Sequence, residues 1–378
     1  MNRSKVLVVE DHPSSRKILE SMLRRNYSVI PAASGQDAIA LARREKPDLV
    51  LLDIEMPGMD GFQTLEELRR GVIEDAVPVI FLTAREDSES REKGLEAGAV
   101  DYITKPYDKQ ELSIKVKNHL ALYEARKEIE ACNRIMAREM EMASQLQTSL
   151  LPEGFPDSPK VHFAVVYKPV SRAGGDFYDV IQFPDSCIGF AQVDVSGHGV
   201  ASAMIGAMFK MAFHSFARGT RSPAELLAVI NDELFRVLPD SDYLTVFYGI
   251  IDPDTLELVF TNAGHPKPFL LRGNADDIEE LGTGGPLIGA FPRMGYDESA
   301  VRLTQGDKLL VFTDGVTEAV RESEPGQFYG LERLRQVFLY NRSLPPFDIL
   351  SGIMEDLQAF RNQSTFGDDI TLLLLTVS

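Results

Sequence analysis

Between Tyr107 and Leu151 the chain contains neither glycine nor proline. Those two residues are the main interrupters of a helix, so the stretch can run as one continuous helix. Whatever precedes and follows it must then form its own core. Leu151-Pro152 closes the helix, and Glu153-Gly154-Phe155-Pro156 reads as a turn. The expected organisation is therefore an N-terminal domain over 1–122, a helical linker over 123–155 and a second domain over 156–378. Along the linker Leu122, Ala125, Ile129, Cys132, Met136, Glu139, Ala143, Leu146 and Leu150 recur at alternating spacings of three and four. That is a heptad seam of about four heptads, broken by Glu139. A parallel coiled-coil homodimer is one reading; a single amphipathic helix packed on its own domain is the other, because two Ala, a Cys and a Glu make the seam weak.

In residues 1–122 short apolar runs alternate with helical spacing. Strands are expected at 5–9, 27–30, 49–52, 79–82 and 101–104. Helices are expected at 16–25, 35–45, 61–70, 88–97 and from 108 onward. The strand runs are continuously apolar, as in a parallel sheet covered on both faces. In such sheets the site lies outside the carboxyl ends of the strands. Glu10 and Asp11, Asp53, Thr83 and Lys105 fall there. Three carboxylates suit Mg²⁺. Asp53 can accept a phosphoryl group, with Lys105 neutralising the new charge and Thr83 donating a hydrogen bond. Lys105-Pro106 is a candidate cis bond that aims the lysine, and His12 is read as a solvated loop residue.

The ordered set Glu10-Asp11, Asp53-Ile54-Glu55-Met56-Pro57-Gly58, Thr83-Ala84 and Lys105-Pro106 resembles a bacterial two-component receiver domain. The resemblance implies a flavodoxin-like doubly wound sheet, Asp53 as phosphoacceptor, and Glu10, Asp11 and Asp53 as Mg²⁺ ligands. It also implies Tyr102 as an aromatic that moves with Thr83, and a histidine kinase or phosphotransfer protein as partner.

Four acidic turns organise the remainder: Gly174-Gly175-Asp176, Asp194-Val195-Ser196-Gly197-His198-Gly199, Thr313-Asp314-Gly315 and Gly367-Asp368-Asp369. Each sets a carboxylate at a strand end beside glycine. Converging carboxylates repel unless cations lie between them, and hard oxygen ligands suit Mg²⁺ or Mn²⁺. Strands are expected at 162–168, following Asp176, at 188–193, 244–251, 256–262, 267–271, 300–303 and 308–312, and at the end of the chain. Helices are expected at 200–218, 223–238, 331–339 and 347–360. This is an α/β sandwich of antiparallel sheets. Met204, Met208 and Met211 on the first of these helices suit core packing, or a helix that shifts.

With Asn262-Ala263-Gly264-His265-Pro266 added, these motifs resemble the bacterial metal-dependent PPM-type serine/threonine phosphatases, and more narrowly the branch controlling sigma factors by partner switching. The resemblance implies an α/β/β/α sandwich. It also implies two Mn²⁺ or Mg²⁺ held by Asp176, Asp194, Asp314, Asp368 and the Val195 carbonyl, with metal-activated water attacking a phosphoserine phosphorus. The implied substrate is a phosphorylated anti-sigma-factor antagonist. Asp179 and Asp369 could orient ligands or serve turns, and Arg172 could clamp phosphate or be a solvated loop residue. His198 and His265 are read as structural and His214 as core. Ala173 stands where relatives often carry Val.

Composition narrows the classes. Hydrophobic residues make up 44%, enough for packed cores. The net charge is −18; by segment, 1–122 carry −3, 123–155 carry −2 and 156–378 carry −13. So acidic a surface argues against nucleic-acid binding. Cys132 and Cys187 form no disulfide framework. With no signal-like start and no expected membrane span, a cytoplasmic protein is expected. The function expected is a response regulator, phosphorylated on Asp53, that controls a protein phosphatase. The alternative is a non-catalytic adaptor using the phosphatase fold to hold a sigma factor or its anti-sigma partner.

Overall fold

The computed structural model describes residues 3–84, 97–170, 173–197, 199–239, 241–273, 275, 277–321, 324, 326–362 and 366–378. Positions 88–96 of the helix expected over 88–97, together with Arg172 and His198, lie outside the described residues. The chain divides into two compact units, Met1–Ile135 and Met136–Ser378.

In the first unit β1 (Lys5–Val9), β2 (Ser28–Ala32), β3 (Leu49–Asp53), β4 (Val79–Thr83) and β5 (Asp101–Thr104) form a parallel sheet in the order β2-β1-β3-β4-β5. β1, β3 and β4 bury nearly every residue because apolar clusters cover both faces, which is why their runs do not alternate. β2 carries Pro31 and lies at an edge, where a missing ladder donor is tolerated. Helix α1 (Pro13–Leu23) starts three residues before the expected Arg16, because Pro13 fits the first helical turn. α2 (Gly35–Glu45) is capped by Ser34, and α3 (Gly61–Arg69) by an Asp60–Gln63 capping box. The parallel pairing carries Val9, Asp53, Thr83 and Thr104 to one end of the sheet, as the sequence pattern predicts.

Helix α4 (Lys109–Leu150) is a single element of 42 residues that begins in the first unit and ends in the second. Leu122, Ile129, Met136 and Leu146 of the heptad seam are all exposed in the single chain.

The second unit stacks two five-stranded antiparallel sheets. One runs β13 (Glu298–Arg302), β10 (Glu257–Ala263), β9 (Leu244–Ile251), β8 (Ile188–Val195), β7 (Phe177–Gln182). The other runs β12 (Ile278–Glu280), β11 (Phe269–Leu271), β14 (Lys308–Phe312), β15 (Ile370–Val377), β6 (Val161–Lys168). Phe190, Phe247, Leu309 and Leu373 belong to the core between them. α5 (Val200–Phe216) and α6 (Pro223–Phe235) cover the first sheet. α8 (Gly330–Tyr340) and α9 (Pro346–Arg361) cover the second. The result is the expected α/β/β/α sandwich. The sequence pattern missed β12, of three residues, and α7 (Asp314–Thr317), of four; both are too short to show a period.

Two expectations are corrected around α5. The run Val200–Gly219 is long and apolar enough to cross a membrane, although no such run was expected. Its apolarity has two sources: Ala203, Ile205, Phe209 and Phe213 enter the core, while Met204 and Met211 are exposed. His214 is not a core residue. Its side chain is 46% exposed, and Nε2 lies 2.6 Å from Asp179 Oδ2.

Candidate functional site

At the carboxyl end of the parallel sheet, ligand atoms of Glu10, Asp11 and Asp53 lie within 4.8 Å of one another. Lys105 Nζ sits 2.6 Å from Asp53 Oδ2 and 2.9 Å from Glu10 Oε2, and Lys105-Pro106 is cis. The Tyr107 hydroxyl donates to Glu10 Oε2 at 2.7 Å, a partner the sequence reading did not find. Burial pushes Asp53 up to about 6 despite Lys105, with the Glu10 charge adding to the rise. Burial also works to raise Glu10, but Tyr107 and Lys105 more than offset it, and its pKa ends below the ordinary value. Asp53 is thus a buried carboxyl facing one ammonium, with acid ligands at hand for a hard cation. Thr83 closes β4 beside β5, where Tyr102 is half-buried under the Lys115 ammonium.

In the sandwich, Asp194, Asp314 and Asp368 line a cleft of about 440 Å³ with Val195, Tyr243 and Thr245. Asp194 is the penultimate residue of β8, Asp314 opens α7 two residues past β14, and Asp368 lies two residues before β15. Asp176 does not line this cleft. It is buried, and its Oδ2 accepts from Thr313 Oγ1 at 2.8 Å and Thr371 Oγ1 at 2.6 Å. The carboxylates therefore grade from buried Asp176, through half-buried Asp194 and Asp314, to exposed Asp368. They do not gather as tightly as the three in the first unit, yet they feel one another. Burial, then the charges of Asp314, Asp368, Asp369 and Glu318, push Asp194 up to about 7. Burial with Asp368 and Glu318 pushes Asp314 up to about 6. Burial and the Asp194 charge raise Asp176 well above its usual range. Such mutual repulsion at hard oxygen donors is relieved by divalent cations, so these residues fit a metal centre.

The glycines of the motifs have a steric cause. A Cβ on Gly175 would stand 2.6 Å from the Val195 carbonyl oxygen and 3.0 Å from that of Gly197. A Cβ on Gly315 would fall on the Asp369 carbonyl. Only glycine lets the acidic turns approach this closely. Asp369 binds the turns together: Oδ1 accepts from the Val170 N–H at 2.7 Å, and Oδ2 from the Gly175 N–H at 2.5 Å. Asp179 instead faces α5, through His214 and Lys210. His265 is buried with Nδ1 2.8 Å from Thr245 Oγ1, and burial lowers its pKa to about 3, so it is neutral at ordinary pH. Thr313, Thr371 and Glu318 were missed as site residues although Thr313 opens one acidic turn and the other two follow such turns by two or three residues; their side chains matter through neighbours brought from other strands.

The model of the family "Stage II sporulation protein E (SpoIIE)" matches residues 184–378, more than half the chain. The chain belongs to the SpoIIE family. The response regulator receiver domain model matches residues 6–117, so this SpoIIE-family chain carries a receiver at its N-terminus. Protein IcfG of Synechocystis sp. is 27% identical over 334 residues, covering 79% of this chain and 50% of IcfG. Protein PilH of Pseudomonas aeruginosa is 41% identical over 110 residues, 29% of this chain and 91% of PilH. The solved SiaA-PP2C domain of Pseudomonas aeruginosa superposes with a TM-score of 0.58 at 23% identity, over 66% of this chain and 99% of that domain, and shows a shared fold. This SpoIIE-family chain spans about half the length of IcfG and of several other curated relatives. A receiver is thus fused to a SpoIIE-family domain with a PP2C-like fold.

Proposed function

We propose that the chain is a two-component response regulator whose output is metal-dependent hydrolysis of protein phosphoserine or phosphothreonine. The carrying observation is that Asp194, Asp314 and Asp368 share one cleft, where burial and the charges of Asp314 and Asp368 raise the Asp194 pKa, in a chain that also holds Lys105 against Asp53. Adaptors built on a dead enzyme fold lose such carboxylates, and here all four are retained.

In the receiver, Glu10, Asp11 and Asp53 are the residues to hold Mg²⁺. Asp53 is the phosphoacceptor, and Lys105, Thr83 and Tyr102 respond to its new charge. In the sandwich, Asp176, Asp194, Asp314, Asp368 and the Val195 carbonyl are the residues to hold two Mn²⁺ or Mg²⁺. Bound there, the ions supply an activated water and positive charge for the phosphoryl oxygens. The chain's own part is placement. Thr313 and Thr371 fix one oxygen of Asp176, and Asp369 fixes the backbone that bears it. The proposed substrate is a phosphorylated anti-sigma-factor antagonist, and the proposed input is a histidine kinase or phosphotransfer protein. The exposed seam of α4 supports a homodimer through the linker, and the domain limits 1–122, 123–155 and 156–378 stand as part of this reading. A cytoplasmic setting fits a receiver input.

The test is phosphate release from a phosphoserine-bearing antagonist protein, with and without acetyl phosphate. The rate should change on receiver phosphorylation and lose that response in Asp53→Asn. Equal responses in both proteins would sink the regulatory half of the proposal.

A further inference from the structure

We infer that the Thr245 hydroxyl is a hydrogen-bond donor of the acidic cleft to an oxygen of the bound phosphoryl group, and that buried His265 is the residue that positions it. Thr245 on β9 pairs with Asp194 on β8, so the two side chains stand beside each other on one face of the sheet. Both line the cleft. Behind Thr245, its Oγ1 lies 2.8 Å from His265 Nδ1. The backbone of His265 is locked on both sides by Asn262. The His265 N–H donates to Asn262 Oδ1 at 2.8 Å, and the His265 carbonyl accepts from Asn262 Nδ2 at 2.9 Å. Gly264 makes this turn at φ 71°, where a Cβ would strike Leu287 of the cleft wall. The segment Asn262 to His265 thus builds a fixed imidazole directly behind the cleft.

The ring also sets the direction of the bond. Burial outweighs the nearby Phe312 carbonyl and keeps the imidazole neutral, so it carries one N–H. Nε2 is buried and reaches no hydrogen-bond partner, the Phe312 carbonyl included, whereas Nδ1 faces Thr245. Buried N–H groups are rarely left without an acceptor, so the proton belongs on Nδ1 and is donated to Thr245 Oγ1. The Thr245 O–H is then left to donate into the cleft. Among the described residues lining that cleft none is a cation, and the polar side chains are three carboxylates and the hydroxyls of Ser196, Tyr243 and Thr245. Ionised carboxylates only accept, so hydrogen bonds to a phosphoryl oxygen must come from the hydroxyls or the backbone. Tyr243 is exposed, and Ser196 lies on a turn where its Oγ accepts from the Tyr243 N–H. Thr245 is the hydroxyl braced from behind by a buried side chain, which is the pre-organisation that makes a donor effective on developing charge.

This inference rests on the phosphoryl chemistry proposed above, and its test separates the two. The experiment is titration calorimetry of Mg²⁺, and then of inorganic phosphate, into the full chain. The proteins are wild type, Thr245→Val, Thr245→Ser, His265→Phe and the double variant of Thr245→Val with His265→Phe. Asp194→Asn identifies the heat that belongs to the cleft, and circular dichroism checks the fold. Thr245→Val keeps the shape and removes the hydroxyl. Its Mg²⁺ affinity should be unchanged, while phosphate should bind the Mg²⁺-loaded chain about 10–100-fold more weakly, the worth of one hydrogen bond to a charged group. Thr245→Ser restores the hydroxyl and should restore phosphate affinity. His265→Phe keeps a flat ring without nitrogen; it should lose part of the same affinity and add no further loss to Thr245→Val. If His265→Phe fails to fold, the two Thr245 variants decide alone. Wild-type phosphate affinity in Thr245→Val, a loss that serine does not rescue, or an equal loss of Mg²⁺ affinity overturns the inference. So does a wild-type chain that binds Mg²⁺ at the cleft and takes no phosphate there. Thr245-dependent phosphate binding in a chain that hydrolyses no phosphoserine protein would uphold the inference and refute the enzymatic reading.

Discussion

Removing divalent ions should make the phosphatase-like unit less stable as pH rises. Asp194 and Asp314 carry pKa values of about 7 and about 6 against an ordinary 3.8. A carboxyl with a raised native pKa binds more protons folded than unfolded. Its stabilising effect is complete below the unfolded pKa and is lost as pH climbs through the folded one. Between about pH 5.5 and about pH 8 the shifts amount to about 2 kcal/mol for Asp194 and about 1 kcal/mol for Asp314. For a domain of this size that is a fall in Tm of roughly 6–12 °C. The assay is differential scanning calorimetry in EDTA across that range, beside the same scans in Mn²⁺ and beside Asp194→Asn. Mn²⁺ should flatten the dependence, and Asp194→Asn should retain about a third of it, the share that Asp314 contributes through burial and the charges of Asp368 and Glu318. A metal-free Tm that is level or rises with pH, or a variant as steep as wild type, would refute the electrostatic account of the cleft.

Three further outcomes follow from the same geometry. Asp53→Asn should raise the thermal stability of the Mg²⁺-free receiver by about 1 kcal/mol near neutral pH, since burial outweighs Lys105 at that carboxyl; urea unfolding followed through the receiver transition checks it. Asp369→Ala strips acceptors from the Val170 and Gly175 N–H groups and should cost about 3 kcal/mol or more in denaturant unfolding. Gly175→Ala drives a methyl against the Val195 carbonyl; thermal melts should show a loss of about 1–3 kcal/mol, and Mn²⁺ binding should weaken with it.

The legible parts of the chain were those set by local pattern. The bounds of α2, β5, β9 and β14 agree with the sequence reading because each is a run of one period between clear breakers. The acidic turns were legible because carboxylate, glycine and strand end lie adjacent in sequence. What stayed hidden depends on distant partners. Thr245 and His265 are 20 residues apart, and Thr371 and Asp176 are 195 apart. Helical spacing put His214 on an apolar face, but its side chain is exposed along one side and pairs with the buried Asp179 on β7. Asp176 looked like the other three carboxylates until strand pairing buried it beneath them.

The central claim is that the acidic cleft is a metal-dependent hydrolytic centre. It is tested most directly by titrating Mn²⁺ against phosphate release from a phosphoserine protein, for wild type and Asp194→Ala. A saturable Mn²⁺ dependence that falls at least about a thousandfold in the variant is the predicted result, a loss of about 4 kcal/mol in transition-state stabilisation. Hydrolysis indifferent to Mn²⁺, or undiminished in Asp194→Ala, would contradict it.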